Sequence, residues 1–319
     1  MQEIKITEIE NLKIGHAQDT QNGTGCTVVL CGEGAPAGVD IRGGGPASRE
    51  SALLRPTANA ERIHAVLLSG GSAFGLDAAG GVMRYLEERD IGFDVGVTKV
   101  PLVCQSCLFD LTVGSKEVRP DQEMAYRACL DAERNNPGQG NIGAGMGASV
   151  GKLLGMEFAM KSGIGMFAVS VGELKIGAIA AVNALGDVFD IDTGEQIAGL
   201  RGADGTGFRR TEDLIVQFAE NGIGLADNTT LGVLITNGKF DKTQMNVIAS
   251  AANNGYARTI RPVNTSADGD SIYALSVGSV PASVDAVSSI GAYVMGKAVN
   301  RAVYQAEDAY GLPAYKCVK

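Results

Sequence analysis

The sequence predicts an α/β fold in which a mixed sheet is layered with helices. Three features carry that expectation. Helical and strand-like patterns alternate along the chain without the regular βαβ repeat of a Rossmann fold, and a hairpin pattern lies among them. Glycine reaches 44 of 319 residues, about twice the usual share of roughly 7%, which suggests tight strand-to-strand approaches and backbone-lined loops. The chain is also 45% hydrophobic and 20% charged, so it holds enough apolar mass for a folded core. No stretch rich in Pro, Ser or charge divides it, and residues 1–319 are expected to form one domain.

The elements follow in order. Residues 1–9 alternate apolar and charged side chains like a strand, unlike the basic start and apolar run of a signal peptide. Residues 27–31, 38–42 and 65–69 read as strands, the last entering Gly70-Gly71-Ser72. From 73 to 89, Leu76, Ala79, Met83 and Leu86 recur at helical spacing, with Ser72 as the expected N-cap and residues 90–92 as the stop. A second helix fits 121–134 behind Pro120. Residues 166–171 and 175–183 read as two strands joined by Gly172-Glu173 in hairpin fashion. After a polar, glycine-rich stretch at 199–211 come a strand at 229–236, a helix at 241–255, a strand at 271–277 and a closing helix at 283–308.

Composition narrows the chemistry. Lys plus Arg total 27 and Asp plus Glu 36, a net charge of -9, which argues against nucleic acid or an anionic membrane as partner. The most apolar stretch, 167–185, carries Glu173 and Lys175 in its middle and falls short of the roughly 20 apolar residues that span a bilayer. A cytoplasmic location is expected. Six cysteines (Cys26, Cys31, Cys104, Cys107, Cys129, Cys317) are too sparse for a disulfide scaffold and are expected to be reduced. Only Cys104-Gln-Ser-Cys107 has a metal-like or redox-like spacing, and no second such pair follows, so buried thiols are the expected reading and no metal is assigned. With His16 and His64 the only histidines, acid-base chemistry must come from carboxylates, lysines or an amine.

Two glycine motifs lose their usual meaning in context. Gly138-Gln-Gly-Asn-Ile-Gly143 matches a dinucleotide fingerprint but follows a helix and Asn-Asn-Pro instead of a strand, so it reads as a glycine-lined turn with substrate-facing backbone. Gly151-Lys152 resembles the end of a P-loop, yet Leu153 stands where Ser or Thr should hold magnesium and Met146 where the first glycine belongs. No nucleotide or other cofactor is assigned.

Asp227-Asn228-Thr229-Thr230 reads, by composition, as a turn feeding a β-branched strand. A second reading requires scission at Asn228–Thr229. The freed α-amine, with a pKa of about 7.7 to 8, could then take the proton of the Thr229 hydroxyl without any histidine. Asp268-Gly-Asp270 precedes the strand at 271–277, where residues two apart point the same way. Two carboxylates could address one site there, or the segment is an acidic turn with glycine at positive φ. Lys152 in apolar surroundings and Asn183 at a strand end read, taken singly, as solvated or capping residues.

Taken together, Gly38-Val-Asp-Ile-Arg-Gly-Gly, Leu68-Ser-Gly-Gly-Ser-Ala-Phe-Gly-Leu-Asp-Ala-Ala, Leu108-Phe-Asp-Leu, Gly147-Ala-Ser-Val-Gly-Lys-Leu-Leu-Gly and Asn228-Thr-Thr-Leu resemble the DmpA-type self-cleaving peptidases. That family includes L-aminopeptidase/D-amino-acid esterases, β-peptidyl aminopeptidases and nylon-oligomer (6-aminohexanoate-oligomer) hydrolases. The resemblance runs through most of the chain. It implies a four-layer αββα sandwich similar to N-terminal-nucleophile hydrolases, and autocleavage between Asn228 and Thr229 into chains 1–228 and 229–319. By the same match Thr229 is the nucleophile, Asn183 the oxyanion-side asparagine, Lys152 the lysine of nylon-hydrolase-like members, and Asp268 and Asp270 the pair that orients and activates Thr229. Asp-Gly-Asp, where aminopeptidase members carry Ser-Gly-Glu or Ser-Gly-Asp, favours the nylon-hydrolase branch.

The implied activity is hydrolysis of amide bonds in short peptides or amino-acid-like oligomers through an acyl-enzyme, without a cofactor, by a homo-oligomer, as relatives are tetramers. Acyl transfer of the ornithine acetyltransferase kind and an unprocessed binding protein are the alternatives. Two departures bear on specificity. The strand after the nucleophile ends Ile235-Thr-Asn237 where many relatives read Ala-Thr-Asp, and Cys104 and Cys107 replace a proline and small residues in a loop expected to border the pocket.

Overall fold

The computed structural model describes residues 1–202, 205, 207–217, 219 and 228–318. Asp227, which the sequence places in a turn, lies outside the described residues. The first part of the chain forms β1 (Gln2–Ile4), β2 (Lys13–Asp19), β3 (Thr24–Ala35), β4 (Ala37–Ile41), β5 (Ala47–Arg49) and β6 (Ile63–Ser69). Next come α1 (Ala79–Glu87), β7 (Val103–Cys107), α2 (Gln122–Ala132), β8 (Ile164–Val171) and β9 (Leu174–Asn183). Then come β10 (Thr229–Gly238), α3 (Lys242–Thr259), β11 (Ser271–Val280) and α4 (Val284–Tyr304), and a short helix at Tyr315–Val318 ends the described chain.

Two sheets result. One has six strands in the order β1-β8-β9-β10-β11-β4, and the other five in the order β2-β3-β6-β7-β5. Each is antiparallel except for one parallel pair, β10 with β11 and β6 with β7. Their inner faces meet through Ile14, Val29 and Leu68 from one sheet and Ile179, Val233 and Tyr273 from the other. On the outer face of the six-stranded sheet, Leu234 and Ile272 pack with Met245, Ile248 and Val294 of α3 and α4. On the outer face of the five-stranded sheet, Val28 and Leu67 pack with Val82, Leu86 and Ala128 of α1 and α2. The order of layers is therefore αββα, as the resemblance implies.

This layering explains the sequence pattern. Within β10, Leu231, Val233 and Ile235 face the partner sheet while Leu234 faces the helices. Both faces are buried, so the strands read as near-continuous apolar runs instead of an apolar-polar alternation. Part of the glycine excess has a related cause, beside close strand approaches such as Gly25, where a Cβ would lie 2.7 Å from Ala17 O of the paired strand. A Cβ on Gly15 would lie 2.1 Å from Ala128 O of α2, and one on Gly165 2.1 Å from Ala298 O of α4. Helix backbones rest directly on strand backbones at these points.

Several local expectations are corrected. Residues 72–78 form a 3-10 helix before α1 begins, and Ser72 is no side-chain N-cap: its φ is 53° and it follows the left-handed Gly71. Gln105 Nε2 donates to Gly75 O within this turn at 2.6 Å and ties it to β7. Cys104 and Cys107 lie in β7, buried inside the five-stranded sheet, and not in a loop at a pocket. Burial pushes the Cys104 thiol up to about 12, a protonated and unreactive form. Cys317, by contrast, is exposed. The amino-terminal strand is confined to Gln2–Ile4, with a 3-10 turn at Ile6–Glu8. Elsewhere α2 starts at an Asp121 cap that accepts from Met124 N at 2.8 Å, and Gly172 turns the β8–β9 hairpin at φ 60°.

Candidate active site

Thr229 is the first residue of β10, a strand in the middle of the six-stranded sheet. On one side the antiparallel register sets Asn183, the last residue of β9, opposite Thr229. On the other side β11 runs parallel, with Ser271 opposite Leu231, and a bridge pairs Asn228 with Asp268. Thus two strand pairings draw Asn183, Thr229 and the 268–270 segment to one end of the sheet. Thr229 is 4% exposed and Asp268 and Asp270 are buried.

The carbonyl between Asn228 and Thr229 receives two hydrogen bonds. Thr229 Oγ1 donates to Asn228 O at 2.5 Å, and the Gly269 amide donates to the same oxygen at 2.9 Å. A Cβ on Gly269 would lie 2.7 Å from Thr229 Oγ1. The glycine therefore answers to close approach of the threonine, since its backbone is not in the left-handed region that an acidic turn would ask of it.

The two aspartates are held differently. Asp270 Oδ1 accepts from Thr230 N at 2.6 Å and its Oδ2 from Asn264 N at 2.9 Å, which ties the start of β10 to the start of β11. Asp268 Oδ2 accepts from Thr265 N at 2.6 Å, while its buried Oδ1 has no hydrogen-bond partner among the described residues. Burial, reinforced by the charge of Asp268, pushes Asp270 up to about 7, and burial also raises Asp268.

Lys152 and Asn183 form the opposite wall. Backbone bonds from Gly151 N to Gly186 O and from Lys152 N to Leu185 O, 3.2 and 3.1 Å, dock the lysine segment just past β9. Lys152 Nζ then donates to Asn183 Oδ1 at 2.9 Å and Asn183 O at 3.2 Å. Asn183 Oδ1 also accepts from Ser149 N at 3.1 Å, and Nδ2 donates to Phe109 O at 2.7 Å. An amide nitrogen carries two hydrogens, so this bond leaves one for another acceptor. Burial pulls Lys152 down to about 7, opposed by the charges of Asp268, Asp110 and Asp270. A lysine and a carboxylate that both titrate near neutrality, beside a second carboxyl raised by burial, are suited to amide chemistry without histidine.

Sequence reasoning missed four contributors: the Gly269 amide, Ser149, Asp110 and Lys161. Asp110 accepts from Thr24 Oγ1 and Gly71 N, both at 2.7 Å. Lys161 is fully buried and donates to the carbonyls of Gly145, Ala148 and Ser162 at 3.1, 2.9 and 2.5 Å. It thereby fixes the segment that presents Ser149 to Asn183. Its only signal in the sequence is a lysine in apolar company, Ala-Met-Lys-Ser-Gly.

A model of peptidase family S58 matches residues 5–315. The chain belongs to that family. An uncharacterized aminopeptidase of Mycobacterium leprae is 36% identical to this S58 peptidase, with 97% of this chain and 92% of the relative covered. A 6-aminohexanoate-oligomer endohydrolase of an Agromyces species is 29% identical over 94% of this chain and 83% of its own. Among solved structures, the L-aminopeptidase D-Ala-esterase/amidase of Ochrobactrum anthropi, described as a variant of the Ntn-hydrolase fold, aligns with a TM-score of 0.71. That alignment covers 95% of this chain and 86% of the other at 16% identity, so it speaks to fold. The S58 peptidase is accordingly a hydrolase of peptide or amide bonds built as an Ntn-type sandwich.

Proposed function

We propose that this S58 peptidase, one domain over 1–319, matures by cutting its own Asn228–Thr229 bond and then uses Thr229 as an amino-terminal nucleophile. The observation that carries this reading is the Asn228 carbonyl oxygen, held at 2.5 Å by the Thr229 hydroxyl and at 2.9 Å by the Gly269 amide. In maturation the hydroxyl oxygen adds to the Asn228 carbonyl carbon, with negative charge gathering on an oxygen that Gly269 N–H already holds. The Asn228–Thr229 C–N bond breaks, the hydroxyl proton passes to the departing nitrogen, and water releases the ester. This leaves a carboxylate on Asn228 and an α-amine on Thr229.

In turnover that amine accepts the Thr229 hydroxyl proton as the oxygen attacks a substrate amide, then returns it to the leaving amine. The remaining Asn183 Nδ2 hydrogen meets the oxyanion, while Lys152, Asp268 and Asp270 set where protons reside. Water resolves the acyl-enzyme, and no cofactor is assigned a part. The substrates are short peptides or amino-acid-like oligomers such as aminohexanoate oligomers. Those with a free amino group suit the acidic site better than their N-acetylated forms. The reading extends to a cytoplasmic homotetramer. Among the described residues no helix is long and apolar enough to cross a membrane.

The test is a Thr229→Ala protein beside the parent chain. Scission and turnover should both vanish in the variant, whereas Asn183→Ala should slow turnover by about 10² to 10³ and still fold. Self-processing and amide hydrolysis by Thr229→Ala would end the nucleophile assignment.

A further inference from the structure

Beside the Thr229 cluster, residues 69–75 and 107–120 pack against each other. Ser72 N donates to Leu108 O at 2.9 Å and Gly71 N to Asp110 Oδ1 at 2.7 Å. Between those two contacts sits Phe109, whose carbonyl holds Asn183 Nδ2. Arg119 leans on the same turn, with its Cβ 3.2 Å from where a Cβ on Gly71 would lie. Its guanidinium covers the Phe74 ring at 3.9 Å from the centroid, and Phe74 is itself 61% exposed.

Arg119 has no hydrogen bond or ion pair with any described residue, and its Nε is shut from solvent without a partner. A partly desolvated guanidinium stacked on an aromatic face keeps a planar fork of donors for a planar anion. A buried donor left open in this way calls for an explanation, and the two Nη groups, which are not shut from solvent, are the donors a carboxylate can reach. The chain carries a net charge of -9, which repels carboxylates at long range. A substrate that ends in a carboxylate therefore needs a local cation. The exposed Phe74 ring offers an apolar wall for the methylenes or side chain next to that carboxylate.

We propose that Arg119, braced on Phe74, is a subsite for the free carboxylate on the leaving-amine half of the substrate. The proposal rests on the amide-hydrolase reading and adds to it which end of the substrate is recognised. It makes the preferred substrate a zwitterion, with its amino end at the acidic cluster and its carboxylate at Arg119.

The experiment compares the matured protein on a dipeptide and on the same dipeptide with an amidated carboxyl end. kcat/KM should favour the free acid roughly 10- to 100-fold, the range of a charge-assisted hydrogen bond. Arg119→Met should lower turnover of the acid alone and bring the ratio toward one, and Arg119→Lys should retain part of the preference. A native ratio near one, or an Arg119→Met protein slowed equally on both substrates, would reduce Arg119 to a brace for its loop and overturn the proposal. If Arg119→Met does not fold, the native ratio and Arg119→Lys still decide. Failure of the native protein to cleave either compound would overturn the short-peptide substrate reading, and this proposal with it.

Discussion

At the scale of single residues, the site depends on atoms that have no side chain to spare. Gly269 both donates to the Asn228 carbonyl and leaves room for the Thr229 hydroxyl, 2.7 Å from where a Cβ would stand. Gly269→Ala should therefore displace the hydroxyl and slow self-cleavage by about 10²-fold. A time course on a denaturing gel measures it, and an unchanged rate would mean the contact has no part in maturation. The charges make a second prediction. Lys152 can accept a proton only as the neutral amine, and burial has brought its ammonium down to about 7, where Asp270 also loses its proton. Activity should rise with pH through this region, roughly tenfold per unit on the acid limb for one proton. The apparent value belongs to the cluster, including, once the proposed cut is made, the Thr229 amine with its ordinary pKa of about 7.7 to 8. Lys152→Arg stays protonated and should lose most of kcat. A flat profile from pH 6 to 9 in the parent protein would exclude this proton bookkeeping.

At the scale of elements, β10 carries the site because each neighbour is registered to it independently. β9 pairs Asn183 with Thr229, and Asp270 grips Thr230 from the β11 side. The helices buttress these strands from outside, and α3 begins at a capping box in which Asp241 accepts from Gln244 N at 2.8 Å while Gln244 Oε1 accepts from Asp241 N at 3.0 Å. Asp241→Ala should cost about 1 kcal/mol and lower Tm by about 2 to 4 °C, with kcat preserved because the cap touches none of the site residues. A thermal melt beside an activity assay would read both, and a loss of kcat at unchanged Tm would contradict it.

At the scale of the whole molecule, the proposed cut falls inside a shared core. β10 and β11 would belong to chain 229–319, yet they pair with β9 and β4 of chain 1–228 within one sheet. Tyr273 Oη donates to Gln105 O at 3.0 Å and lies 2.8 Å from Ser106 Oγ, so the two sheets are also joined across the interior. Fragments of roughly 23 and 9 kDa, by proportion of 32.9 kDa, should appear only on denaturation and co-elute under native conditions. N-terminal sequencing of the smaller one should begin at Thr229-Thr230-Leu231. A different start, or a small fragment that elutes alone, would refute this account. Light scattering on the same column measures the oligomer, and a monomer would remove the tetramer.

Much of this molecule was written in local pattern. The helices at α2, α3 and α4, the β8–β9 hairpin and the strand beginning at Thr229 follow from spacing, caps and turn residues, because those signals act over a few residues. The motifs that carry the family resemblance are equally local, and they named Lys152, Asn183, Thr229, Asp268 and Asp270. Local pattern failed where distant backbone decides. Ser72 looks like an N-cap until the turn is tied to Gln105, and Cys104 and Cys107 look like a loop pair until β7 is inserted between β6 and β5. Only the tertiary structure brings Asn183 and the 268–270 segment to opposite sides of Thr229. It alone shows that Gly269 makes room for a hydroxyl, that Lys161 holds the segment of Ser149, and that Arg119, stacked on Phe74, has no hydrogen-bond partner among the described residues. The physical reason is that register, close approach and desolvation are properties of pairs of segments, and no window along one chain contains both members of the pair.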